Sequence, residues 1–303
     1  MSATTKINWV TTSFIVGYHL IVLTALPFFF IYNTLTWPIA VTTVAFWFAT
    51  GWSVTAGYHR LYSHQAYKVH PVIEFLLLFL GAMSVQGCVY SWAHDHRLHH
   101  AHSDTDKDPY SVKDGFLHAH LLWMFKRLPT MDPKVVSDLR RNRLVMHQHR
   151  YYVLWMLGSN LLVTLITGYL TGAWVASFLF VWGVRMLLCH HCTWFINSLA
   201  HVWGHKPFSK EQSAVDNFIL SLMTFGEGYH NYHHTFARDY RNGVRWYHFD
   251  PTKWSIWLLS KLGLAHSLAR TSKKRIAERM AADGAQPEQR FLLPSEGEDQ
   301  LLL

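Results

Sequence analysis

Residues 72–92 read VIEFLLLFLGAMSVQGCVYSW, and whether this apolar stretch crosses a membrane decides the fold. Its length is sufficient, because about 20 helical residues cover the roughly 30 Å of a bilayer's hydrocarbon core. HRLYSH, with His59 and His64, precedes it, and HRLHH, with His96, His99 and His100, follows it. A full crossing would put the two clusters on opposite faces of the membrane, where they could not share a metal. Glu74 and Gln86 within the stretch also disfavour burial in lipid. The segment is therefore read as a helix that lies in or dips into the interface without crossing. The histidines decide this, not hydropathy.

A third cluster lies in GEGYHNYHH, residues 226–234, where His230, His233 and His234 stand at i, i+3 and i+4. Those offsets share one helix face. His96/His99/His100 and His230/His233/His234 repeat the same H-x-x-H-H spacing. Eight imidazoles in three clusters are too many for one metal ion, so two are expected. His59 and His64 are five apart, which on an unbroken α-helix splays them by about 140°. They converge only if the helix ends or distorts there. Imidazole suits iron, zinc, copper or nickel, and redox chemistry beside a bilayer favours iron. Asp95, Asp104, Asp108 and Glu227 are candidates to orient imidazoles through their second ring nitrogen.

Four other stretches read as spans. Val10–Tyr32 is apolar and uncharged. A polar turn at Asn33–Thr36 leads to a second span from about Pro38 to Tyr58, whose Ala49, Gly51, Ala56 and Gly57 allow close packing. Tyr151–Leu170 and Ala173–Ile196 are the other two, with Arg185 inside the last and expected to face protein. Both short loops between paired spans lack Lys and Arg, so the positive-inside rule puts both termini and all the clusters in the cytoplasm. The expected fold is an all-α integral membrane protein. It has four transmembrane helices in two hairpins, a membrane-interface helix and a cytosolic helical cap holding a di-iron site. Residues 1–280 form one domain with a basic helical stretch at Lys273–Met280, and 281–303 a disordered tail. No cleavable signal peptide is read.

Composition agrees. Half of the 303 residues are hydrophobic, yet mean hydropathy is only +0.05, so apolar spans alternate with polar regions. The net charge of +8 follows the cytoplasmic loops. No basic run is interleaved with aromatics, so nucleic acid is not a partner. The three cysteines imply no disulfide framework, and Cys189-His-His-Cys192, at the end of an apolar span, reads as packing rather than a zinc knuckle.

HRLYSH, HRLHH and GEGYHNYHH, in this order with two spans between the second and third, resemble the membrane fatty acyl-CoA desaturases of the delta-9, stearoyl-CoA type. The similarity runs from about Val10 to Leu264 and extends to DPYS (Asp108–Ser111) and N-S-L-A-H (Asn197–His201). It implies a ninth ligand, His201, and a water held on one iron by Asn197. It implies a di-iron centre that uses O₂ and two external electrons to remove two hydrogens from an unactivated methylene pair. A ferredoxin-, rubredoxin- or cytochrome b5-like carrier and its reductase would supply the electrons, since no haem or flavin motif is read in the chain. The resemblance also puts Gln86, Trp92, Thr193 and Trp194 at the bend of a substrate tunnel, and Asp95, Lys126 and Arg127 against the CoA carrier. Trp47 and Gly51, one turn apart on span two, are candidates to close the tunnel's far end. Two departures bear on the carrier: His94 stands where eukaryotic relatives have Arg, and Gly87 replaces a polar side chain. An acyl-lipid or acyl-carrier-protein substrate therefore stands beside acyl-CoA.

Two further readings compete. A hydroxylase or ketolase on the same scaffold shares the first hydrogen abstraction. A histidine-rich metal transporter would bury its ligands along a path within the spans, whereas these cluster at span ends. The remaining histidines, His19, His118, His147 and His248 among them, read as packing or surface residues.

Overall fold

The computed structural model describes residues 6–282. The segment 283–303, most of the expected tail, lies outside the described residues. The principal helices are α1 (Trp9–Tyr32), α2 (Trp37–Ser63), α3 (Pro71–Ala82), α4 (Val89–His102), α5 (Arg143–Arg150), α6 (Tyr152–Thr171), α7 (Trp174–His201), α8 (His230–Thr235), α9 (Pro251–Lys261) and α10 (Lys273–Ala282). The sheet among the described residues is a two-stranded antiparallel pairing of Lys68–Val69 with Ala265–His266.

Helices α1, α2, α6 and α7 are long and apolar enough to cross a membrane. Their outward faces carry large apolar side chains such as Leu20, Ile21, Phe28, Leu154 and Leu170, all exposed. Their inward faces are more polar, with Thr50, Ser53, Asn160, Thr164 and Ser177 buried. That inversion is what lipid as a solvent selects, because polar groups must find partners inside the protein. The fully buried Arg185 meets this demand four times. It donates from Nε to Val181 O (2.8 Å), from Nη1 to Met83 O (3.0 Å) and Thr50 Oγ1 (3.3 Å), and from Nη2 to Asn160 Oδ1. One guanidinium thus ties α7 to α2, to α6 and to the end of α3.

The stretch 72–92, read above as one helix, is two. Pro71 and the His70 cap, whose Nδ1 accepts from Val72 N, start α3, which runs for 12 residues. At about 1.5 Å per residue it reaches about 18 Å, too short to cross. Val85 (φ 57°) and Gly87 (φ 92°) take left-handed backbone angles that no α-helix contains, and the chain turns there. The buried Gln148 of α5 seals the break. Its Oε1 accepts from Val89 N at 2.9 Å, and its Nε2 donates to Leu78 O at 2.9 Å and to Tyr58 Oη at 3.1 Å. Glu74 sits in the first turn of α3, where the helix dipole favours an acid, and accepts from Tyr62 Oη and Asn142 Nδ2.

The end of α2 also differs from a plain helix. Residues Val54–Ser63 are π-helical, and His64 N–H donates to His59 O at 3.1 Å. An i→i+5 ladder brings residues five apart onto one face. It resolves the splay expected for His59 and His64, whose rings stand 4.8 Å apart.

Arg185→Leu would leave Met83 O and Asn160 without their donors, at a cost of about 3 kcal/mol. A clearly lower melting temperature of the solubilised protein is the expected outcome; melting at or above wild type would remove Arg185 from its role as the clamp.

Candidate metal centre

Nine histidines meet in two groups. His59, His64, His96, His100 and His233 form one, and His99, His201, His230 and His234 the other; within each, one nitrogen per ring lies within 4.8 Å of all the rest. The H-x-x-H-H spacing explains how two helices feed both groups. On α4, His96 and His100 stand at i and i+4 and enter the five-histidine group, while His99 enters the four. On α8 the assignment is exchanged: His230 and His234 enter the four-histidine group and His233 the five. The π-helical end of α2 adds His59 and His64 to one group, and the end of α7 adds His201 to the other. Arg97 locks α4 against α2, donating from Nη2 to Tyr62 O (2.6 Å) and from Nε to Ser63 O (3.0 Å).

The ring nitrogens fix what can sit between them. Nε2 atoms face each other at 2.8 Å (His64–His96), 3.0 Å (His59–His233 and His100–His233), 3.1 Å (His230–His234), 3.2 Å (His201–His230) and 3.3 Å (His99–His234). On the far side of the rings, His99 Nδ1 donates to Asp108 Oδ1 at 2.8 Å and His234 Nδ1 to Gln212 Oε1 at 3.2 Å. His59 Nδ1 lies 2.9 Å from Glu227 Oε2, His201 Nδ1 2.6 Å from Ser213 Oγ, and His96 Nδ1 3.3 Å from Tyr110 Oη. A neutral imidazole with its proton on Nδ1 presents a bare lone pair at Nε2. Lone pairs converging at such distances need a cation among them. Protons are a poor choice, because burial first and neighbouring imidazole charge second push His64, His96, His100, His230, His233 and His234 well below the usual histidine value. Two metal ions held by neutral imidazoles fit the donor sets.

Behind His59 stands a buried charge network. Arg60, only 1% exposed, donates from Nε (3.1 Å) and Nη2 (2.9 Å) to Glu227 Oε1 and from Nη1 (3.1 Å) and Nη2 (3.0 Å) to Asp250. Asn242 Nδ2 donates to Glu227 Oε2 at 2.6 Å. Burial alone would raise the Glu227 carboxyl, but His59 and Arg60 hold it below the usual range. Sequence reasoning passed over Arg60, although a charge inside HRLYSH at a span end was a visible signal. Tyr110 was quoted only within DPYS. Gln212, Ser213, Asn242 and Asp250 carried no pattern.

Of the acids named from sequence, Asp108 and Glu227 contact histidines of the groups directly, and Asp104 reaches His201 through Ser213 Oγ, 2.5 Å from its Oδ1. Asp95 does neither; its Oδ1 accepts from His94 Nδ1 at 2.8 Å. Asp95 instead lines a cavity of about 900 Å³ together with Gln86, Trp92, Lys126, Arg127, Thr193, Trp194 and Asn197. His96 lines it too, so the cavity abuts the five-histidine group. Gln86 Nε2 donates to Thr193 Oγ1 at 2.9 Å. Lys126 and Arg127 are exposed at its edge, beside Asn8. Trp47 and Gly51 do not line the cavity. A Cβ on Gly51 would lie 2.1 Å from Phe225 Cε2, and the Trp47 ring stands 5.3 Å from that of Phe225, so the Phe225 ring packs against both.

A family model described as fatty acid desaturase matches residues 33–266. The chain is 42% identical over 260 residues to a protein of Schizosaccharomyces pombe called probable acyl-CoA desaturase, covering 82% of this chain and 54% of that one. It is 40% identical over 237 residues to acyl-CoA desaturase 1 of Saccharomyces cerevisiae, covering 77% and 46%. It thus spans about half the length of these two yeast relatives. With sn-1 stearoyl-lipid 9-desaturase of Anabaena variabilis it is 32% identical over 275 residues, covering 89% and 97%.

Arg60→Ala would strand two buried carboxylates, at a cost of about 3–5 kcal/mol. Denaturant titration of the solubilised protein is expected to show that loss; a variant as stable as wild type would mean that the network does not brace the centre.

Proposed function

The chain belongs to the fatty acid desaturase family, and from that premise we propose that it desaturates a long-chain acyl thioester, acyl-CoA by preference, at the delta-9 position. The observation that carries this reading is the pair of histidine groups with a cavity of about 900 Å³ that reaches one of them at His96. The proposed ligands are His59, His64, His96, His100 and His233 for one iron, and His99, His201, His230 and His234, with a water on Asn197, for the other. When bound, the two irons supply the O₂-derived oxidising power that an unactivated C–H bond requires.

The chain's own residues do the rest. Trp92 and Trp194 offer apolar walls that would hold one methylene pair beside His96, and Thr193, through its hydrogen bond with Gln86, would brace the bend. Lys126 and Arg127 are suited to the phosphates of a CoA headgroup. The closed surroundings of the nine imidazoles would exclude water from the reacting carbons.

The four spanning helices would form two hairpins. The termini and the capping region with the centre would lie in the cytoplasm, where Lys and Arg concentrate. Electrons would come from a separate ferredoxin-, rubredoxin- or cytochrome b5-like carrier. Relatives called acyl-CoA desaturase support the CoA carrier, and the stearoyl-lipid relative keeps acyl-lipid as the alternative substrate.

Expression in a host lacking its own desaturase, followed by double-bond mapping by mass spectrometry, is expected to reveal chains unsaturated at carbon 9. His96→Ala and His230→Ala should abolish the product and lower bound iron while the protein stays in the membrane fraction. Full activity in either variant would refute the ligand assignment, and hydroxylated chains in place of unsaturated ones would favour the hydroxylase.

A further inference from the structure

The two histidine groups have unlike electrostatic backing. Behind the five-histidine group, His59 leans on Glu227, but Glu227 and Asp250 share Arg60, and Asp250 also feels the buried Lys253. Two carboxylates and two cations cancel. Behind the four-histidine group, His99 Nδ1 donates to Asp108 Oδ1, and the other hydrogen bonds to Asp108 come from the backbone amides of Asp104 and Tyr110, each at 3.2 Å. His201 Nδ1 donates to Ser213 Oγ, which donates in turn to Asp104 Oδ1, while Ser213 N donates to Asp104 Oδ2 at 2.7 Å. Among the described residues no lysine or arginine forms an ion pair with Asp104 or Asp108; the exposed Lys113 acts on Asp104, and Lys206 on His201, only through space and from the solvent side, unlike the buried Lys253. Two carboxylates therefore stand behind this group without a paired cation.

Charge held behind an imidazole reaches the metal through the ring, and an unbalanced carboxylate favours the more positive ion. Resting on the proposal that each group holds an iron, we propose that the two irons are unequal. The one held by His99, His201, His230 and His234 is reduced last and released last. Asp108, through His99, and Asp104, through Ser213 and His201, are the positioning residues that impose this order.

The test uses the full chain in lipid nanodiscs, loaded with iron alone. Potentiometric titration followed by Mössbauer spectroscopy should show two reduction steps, and a chelator should remove one iron before the other. Asp108→Asn keeps the shape and removes the charge. It should move the lower-potential step upward, leave the higher one in place and weaken retention of one iron by about 10–100-fold. Asp104→Asn, one bond further out, should move the same step in the same direction by less, and carries the test should Asp108→Asn not fold. Movement of the higher-potential step, equal movement of both, or a single step in wild type would overturn the order while leaving the two-iron reading intact. A chain that binds no pair of irons would overturn both.

Discussion

Buried imidazoles that face one another at about 3 Å with their protons on the far ring nitrogens repel unless something positive lies between them. That constraint governs the rest of the chain. The rings come from the ends of α2 and α7, from α4 and from α8, and each element bears a local device that delivers them. The π-helical end of α2 turns His59 and His64 onto one face. The left-handed angles at Val85 and Gly87 break the chain between α3 and α4, and His96 and His100 of α4 meet His59 and His64 from the end of α2. Arg185 below the centre and Arg97 and Arg60 around it bind backbone carbonyls and carboxylates of different segments. Three guanidiniums act as rigid multidentate cross-braces, a task that flexible lysines would perform less well.

Part of this was readable from sequence because helical periodicity is local. H-x-x-H-H on a helix determines that the first and last histidines share a direction and the fourth diverges from it. What spacing does not reveal is the exchange between α4 and α8, where His99 joins His230 and His234 while His233 joins His96 and His100. That exchange depends on how the two helices cross, a tertiary quantity. The same limit applies to 72–92. Hydropathy averages over the turn at Met83–Cys88, and a left-handed Val85 has no composition signature, since valine is among the residues least suited to it. The topology was reached only because a shared metal site forbids a crossing. Arg60 stayed hidden because its partners Glu227 and Asp250 lie far along the chain, where no spacing links them to it.

Polar chemistry inside the spans serves the centre indirectly. Asn160, Thr50 and the carbonyl of Met83 would be costly in lipid, and all converge on Arg185. A buried cation satisfied by neutral oxygens gains no ion-pair strength, yet it makes each of these groups dependent on the others. The break after α3 is thereby held at a fixed depth relative to α7, and Gln86, next to that break, meets Thr193. The wall of the cavity is thus set by hydrogen bonds among residues that never touch a metal.

His94 stands next to Asp95, which lines the cavity. Its Nδ1 donates to Asp95 Oδ1, and its Nε2 accepts from Asp132 N at 3.1 Å, so the ring braces α4 against the following loop. The cations that line the cavity are Lys126 and Arg127. Those two sit on a segment whose backbone pairs with the residues just before α1, Asn8 N to Phe125 O at 2.8 Å and Arg127 N to Lys6 O at 2.9 Å. The residues just before α1 therefore position both the apolar helix and the basic pair that lines the cavity.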